Sequence, residues 1–166
     1  IIHKSDVGGV LLQVQPDEAA MAFDHLIQTV KHHVPEAQID GALAVEMAEA
    51  GGIELLLGLK QEPGLGTLVV LGLGGIYVEV FKDISMRFAP LSNADIDEML
   101  HELKAYPLLA GSRGKPPIDL EKLREYLARL SQLAIEHPEI AELDINPLLV
   151  FPEGERFRIL DARLRV

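Results

Sequence analysis

The 166-residue sequence contains no cysteine and no tryptophan, and only 5% of it is aromatic. The missing thiols exclude a disulfide framework and any cysteine-based zinc site. Long apolar runs are missing too. The longest uncharged stretch lies between Glu62 and Glu79 and is interrupted by five glycines, whereas a membrane-spanning helix needs ~20 apolar residues. Positive charge is scarce: 15 Lys+Arg stand against 26 Asp+Glu, a formal net charge of −11. That balance argues against broad binding to nucleic acid or anionic membranes, both of which need a surplus of cations. What is present is ordinary for a folded protein, with 48% hydrophobic and 25% charged residues, enough apolar side chain to exclude general disorder.

The periodicities divide the chain into an α+β pattern. Val10, Leu12 and Val14 alternate as in a half-buried strand, and Pro16-Asp17-Glu18 then opens a helix with Pro and acids in its first turn. Ala19, Phe23, Leu26, Ile27, Val30 and Val34 make the apolar stripe of that helix, which Pro35 closes. Between residues 39 and 90 short extended runs alternate with glycine-rich breaks, and strands are expected over 39–47, 53–59, 67–71, 76–81 and 85–90. Short connections imply hairpins and a mostly antiparallel sheet. Ser92 and Asp95 form a capping box for a helix over 94–105, a loop is expected over 107–117, and Asp119 caps a second long helix to about Glu136. The tail reads as a hairpin, 142–151 and 156–164, turning at Glu153-Gly154. One α+β domain follows, with helices packed on one face of the sheet.

The hairpin register brings chemistry together. A turn centred on Glu153-Gly154 sets Asn146 opposite Asp161, Leu148 opposite Ile159 and Val150 opposite Phe157. Opposed Cβ atoms lie ~4.5–5.5 Å apart, and Asp144 shares a face with Asn146 because strand side chains alternate. Amide and carboxylate oxygens are hard ligands that suit Mg²⁺ better than zinc. On spacing alone the same residues also read as solvated strand ends. A one-residue slip would separate them. Gly72-Leu73-Gly74-Gly75 reads equally as a phosphate loop or a tight turn, and Arg113 as a phosphate contact or a surface side chain. His25, His32 and His33 lie on the polar side of the first helix and read as solvated.

The longer motifs resemble the ATP-grasp domain of nucleoside-diphosphate-forming acyl-CoA synthetases. They are His3-Lys4-Ser5-Asp6-Val7-Gly8-Gly9-Val10, Gly52-Ile53-Glu54-Leu55-Leu56-Leu57-Gly58 and Gly72-Leu73-Gly74-Gly75-Ile76-Tyr77-Val78-Glu79. Further along come Leu109-Ala110-Gly111-Ser112-Arg113-Gly114, Glu142-Leu143-Asp144-Ile145-Asn146-Pro147-Leu148 and Asp161-Ala162-Arg163. The resemblance runs in order over nearly the whole chain. The same domain occurs in protein lysine acetyltransferases that carry a synthetase-like body, and succinyl-CoA synthetase is a more distant relative.

The resemblance implies Mg²⁺ and ATP as cofactors, with Asn146 and Asp161 as magnesium ligands at the ATP phosphates and Asp144 as a nearby candidate. Glu54 matches a glutamate that faces the nucleotide, although alone it reads as an exposed strand carboxylate. Lys4 is grouped with it as nucleotide-binding. His3 matches the histidine that carries a phosphoryl group between a phosphohistidine on the CoA-binding half and ADP; an imidazole is a neutral nucleophile near pH 7. Expected partners are MgATP or ADP and the CoA-binding and ligase domains of a parent protein or partner subunit, with no nucleic acid and no membrane. Homo-oligomerisation and the acyl substrate stay open.

Glu62-Pro63-Gly64-Leu65-Gly66-Thr67 departs from a family Asp-Pro-x-Phe-Gly-Pro stretch. The family also has a segment ahead of the His-Lys motif that this sequence lacks. The chain is therefore expected to be the metal-side part of a larger, cytoplasmic ligase, folding alone but binding ATP weakly and turning over nothing. The rival readings are a sensory body of a lysine acetyltransferase and a non-catalytic docking module.

Overall fold

The computed structural model describes residues 4–49, 51–75, 82–112, 114–151 and 157–166. The chain divides into two compact units, Ile1–Ala48 and Glu49–Val166, which are taken separately.

In the first unit a short 3-10 turn over Ser5–Val7 ends at Gly8, whose φ of 68° suits a residue without a Cβ. The loop closes on itself where Gly9 N–H donates to the Lys4 carbonyl at 2.7 Å. A second 3-10 turn, Pro16–Glu18, leads into α1 (Ala19–His33). The helix matches its sequence pattern, and Val30 is its buried residue. His25, His32 and His33 are exposed. Two expectations fail here. Residues 10–14 and 39–47 form no strand, and Leu12, Leu43 and Val45 are 70%, 88% and 73% exposed. Alternation specifies a strand only where a second strand completes its ladder, and no strand forms among the described residues of this unit.

The second unit is a six-stranded antiparallel sheet with helices against one face. Its strands are β1 (Ile53–Glu62), β2 (Gly66–Leu73), β3 (Ile84–Phe88), β4 (Glu142–Val150), β5 (Arg158–Ile159) and β6 (Ala162–Arg165). The order is β3-β2-β1-β4-β5, with β6 also paired to β4. The expected strand over 76–81 and the turn at Glu153-Gly154 lie outside the described residues. Leu55, Leu57 and Leu59 of β1, Val69 and Leu71 of β2, and Leu148 and Val150 of β4 point to the helix side. There they meet Ile96, Met99 and Leu100 of α2 (Asn93–Glu102) and Leu123 and Leu127 of α4 (Leu120–Glu136). Each of these side chains contributes about 2–3 kcal/mol through burial.

Both long helices start as their caps dictate. Ser92 Oγ accepts from Asp95 N–H, and Asp95 accepts from Ser92 N–H in return. Asp119 accepts from Lys122 N–H at 2.9 Å. The expected loop over 107–117 instead begins with a short helix, α3 (Tyr106–Leu109). The turn leading into it is held from a distance: the buried Asp83 carboxylate accepts the N–H groups of Lys104 and Ala105, both at 2.8 Å, just ahead of the helix.

Candidate functional site

The C-terminal register is as its turn implies. Leu148 pairs with Ile159, Ile145 with Ala162 and Asp144 with Arg163. Asn146 N–H donates to the Asp161 carbonyl at 3.1 Å, between β5 and β6. On its other edge β4 carries a bulge: Leu55 faces Leu148 but Leu57 faces Ile145, so Asn146 and Pro147 share the space opposite one residue. Bulges redirect side chains, and this one lies where the sequence put a metal ligand.

The Asn146 amide points at the end of β2. Gly75 N–H donates to Asn146 Oδ1 at 3.0 Å, while Gly74 N–H donates to the Glu54 carbonyl at 2.8 Å. Glycine is required at both positions for different reasons. A Cβ on Gly74 would sit 2.6 Å from the Leu55 carbonyl oxygen, and Gly75 has φ +60° with the Glu54 carboxylate occupying its side-chain position. The Gly74-Gly75 turn therefore lies on the β1 backbone and holds Glu54 and Asn146 on either side of it. No pairwise geometry of this kind was readable in the sequence, where the two glycines stood equally for a phosphate loop.

Asp161, half-buried, has its carboxylate 3.5 Å from Arg163 Nη2. Register sets Arg163 opposite Asp144 on the same face. On the other side of Asp144 stands Gly58, which offers no side chain. Arg163 lies in a sequence motif that carried no role for it; its ion pair with Asp161 follows from a two-residue spacing along one strand face.

One face of the sheet thus has two zones. Near β4 lie Glu54, Asp144, Asn146, Asp161 and Arg163. Near β3 lie Ile84, Met86 and Phe88, each more than 40% exposed, next to Val70 and Leu56. The oxygen donors fit Mg²⁺ in kind: one amide and carboxylates, all hard ligands. Among the described residues no three His, Cys, Asp or Glu side chains could hold a metal by themselves. A cation here would complete its shell from other oxygens, as Mg²⁺ does with substrate phosphates. The exposed apolar zone beside that polar edge suits a flat base attached to phosphates. Lys4 belongs to the first unit, and His3 and Arg113 lie outside the described residues.

The fold and the grouped donors define an ATP-grasp domain, and the ATP-grasp domain family model matches residues 1–166. The chain belongs to this family. Within it, the chain is 42% identical to the β subunit of an ADP-forming acetate–CoA ligase of Pyrococcus furiosus, covering 99% of itself and 70% of that subunit. It is 47% identical to an ADP-forming 4-hydroxybutyrate–CoA ligase of Nitrosopumilus maritimus, covering 99% of itself and 24% of that protein. The chain thus spans about a quarter of the length of such single-chain relatives. A solved acetyl-coenzyme A synthetase of Ca. Korarchaeum cryptofilum, with coenzyme A and Ca-AMPCP, superposes with a TM-score of 0.83 at 41% identity, over 99% of this chain and 71% of that one. A second structure of that enzyme, TM-score 0.74 and 38% identity over 98% and 70%, holds Mg-AMPPCP with a phosphohistidine segment pointing towards the nucleotide site. What the chain matches in these ADP-forming ligases is their ATP-grasp part.

No helix among the described residues is long and apolar enough to cross a membrane.

Proposed function

We propose that this chain handles MgATP within an ADP-forming acyl-CoA ligase, and that His3 is its phosphoryl carrier. The observation that supports this most is the grouping of Glu54, Gly75 and Asn146, with Asp161 across the strand, on one face of an ATP-grasp sheet. Asn146, Asp161 and Asp144 would hold Mg²⁺, which neutralises phosphate charge and aligns the phosphoryl group. Glu54 borders the same site through the glycine turn and would orient the nucleotide. The exposed Ile84, Met86 and Phe88 give the base an apolar surface and exclude water beside it.

His3 brings a lone pair on a ring nitrogen. In the direction of ATP cleavage that nitrogen forms a P–N bond as the bond from the γ-phosphorus to the bridging oxygen breaks, and ADP leaves. In the direction of ATP formation the P–N bond breaks as a terminal phosphate oxygen of ADP takes the phosphoryl group back, leaving the imidazole free. Lys4, next in the chain, supplies positive charge beside the transferred group. The partners are the CoA-binding and ligase domains, on the same polypeptide or a partner subunit, and the location is the cytoplasm. The acyl substrate is a small carboxylate.

The test is labelling of the full-length protein with γ-³²P-MgATP. Acid-labile phosphate should form in the wild type and vanish in His3→Ala. Label that persists in the variant removes His3 as carrier. Absence of label in both, with acetyl transfer to protein lysines, would replace the ligase reading by the acetyltransferase one.

A further inference from the structure

We propose that Thr29 of α1 is a positioning residue for the phosphoryl transfer: Gly8 seats on it, and that contact fixes the turn that presents Lys4 and, bonded to it, His3. This rests on reading His3 as the carrier.

The turn is locked from within. Gly8 N–H donates to the Ser5 carbonyl at 3.1 Å, and Gly9 N–H donates to the Lys4 carbonyl at 2.7 Å. With Gly8 at φ 68°, these nested bonds make the pattern by which a left-handed glycine ends a helix. Here the pattern closes a single turn on Lys4, whose own backbone is helical at φ −59° and ψ −37°. A Cβ on Gly9 would lie 2.8 Å from the Lys4 carbonyl oxygen, so the second glycine serves a close approach. A glycine pair in a loop ordinarily supplies freedom; this pair lets the loop close tightly.

The turn is also held from outside. It packs on α1, and a Cβ on Gly8 would lie 2.6 Å from Thr29 Cγ2. Carbon atoms in ordinary contact stand ~3.5–4.0 Å apart, so Gly8 approaches the helix to a distance that only glycine allows. Thr29 is half-buried and precedes Val30, the buried residue of the helix. Its branched Cβ leaves it few helical rotamers, so the loop rather than the helix yields to an added methyl. The shift needed is about 1 Å, and a misplacement of that size can cost on the order of a hundredfold in rate. One peptide bond separates His3 from Lys4, so whatever displaces Lys4 also displaces the point from which the imidazole reaches.

The contact makes the two side chains interdependent, and that is what the test reads. In the full-length protein, Gly8→Ala should form acid-labile phosphate from saturating γ-³²P-MgATP about tenfold more slowly, or worse, by rapid quench. Its affinity for Mg-AMPPNP, read by calorimetry, should stay within about twofold of wild type, because the proposed magnesium ligands belong to the second unit. Thr29→Ala, which withdraws the support, should slow labelling about threefold. In Gly8→Ala/Thr29→Ala the new methyl takes the place of the lost one, and labelling should return to within about threefold of wild type. The remaining deficit is the positive φ imposed on an alanine. Slowing that multiplies in the double variant, or Gly8→Ala labelling at the wild-type rate, overturns the role of Thr29. A loss of Mg-AMPPNP affinity as large as the loss of rate overturns it too. A wild-type protein that binds Mg-AMPPNP yet forms no acid-labile phosphate, or label that survives His3→Ala, overturns instead the reading of His3 on which the proposal rests.

Discussion

Gly75 donates its backbone N–H to the side-chain oxygen of Asn146 at 3.0 Å, joining positions 71 residues apart in sequence. The bond ties the turn that leaves β2 to the bulge in β4, on either side of β1. An amide oxygen has two lone pairs, so Asn146 has one for the glycine turn and one for a cation. The ligand role proposed for Asn146 and its role in the fold are thus compatible in one atom.

Asn146→Ala removes the acceptor for Gly75 together with the proposed metal ligand, and Asn146→Asp keeps an acceptor for Gly75. The alanine variant should lose about 1 kcal/mol of stability in urea titrations, the ordinary contribution of one such bond, together with most Mg-nucleotide affinity. The aspartate variant should recover the stability. Equal stability of wild type and alanine variant would show that the Gly75 bond contributes nothing.

The two glycines should respond differently to substitution. At Gly75 the added Cβ meets the far end of the Glu54 side chain, which can rotate away, so Gly75→Ala should cost about 1 kcal/mol, from its positive φ. Displacing Glu54 should also weaken nucleotide binding. At Gly74 the added Cβ meets the β1 backbone at Leu55, which cannot yield without breaking the ladder. Gly74→Ala should therefore cost more, about 2–3 kcal/mol. Denaturant midpoints of the two variants decide the order, and a larger loss at Gly75 would contradict this account.

The edge strand β3 is tied to α2 by charge. Glu102 accepts hydrogen bonds from Arg87 and from Ser85 Oγ, and these, Arg87 first, hold its carboxyl below the usual carboxylate range. A carboxyl whose pKa is lower when folded adds stability at neutral pH. That contribution is lost as pH falls from the ordinary carboxylate range through the lowered value. Glu102→Gln should melt below wild type at pH 7, and the gap should narrow on acidification. A gap that is constant from pH 7 to pH 3 would show that the carboxylate's charge is not what stabilises the pair.

The sequence by itself determined the parts of this protein whose causes are local. The caps at Ser92 and Asp119 act across three residues, and both helices begin where they stand. Turn centre and alternation fixed which residues of β4 face β5 and β6, so the opposition of Asn146 to Asp161 was legible before any coordinates. Tertiary structure decided the rest. Residues 10–14 and 39–47 alternate like strands, but alternation supplies only a face, and a ladder needs a neighbour that local sequence does not specify. The helix α3 follows directly on Lys104 and Ala105, whose N–H groups are held by Asp83, more than twenty residues earlier. The turn at Gly74-Gly75 has its meaning only because β1 passes beneath it and Asn146 stands beyond. Hydrogen bonds and close approaches between distant segments depend on how the sheet is assembled, and no periodicity along the chain records them.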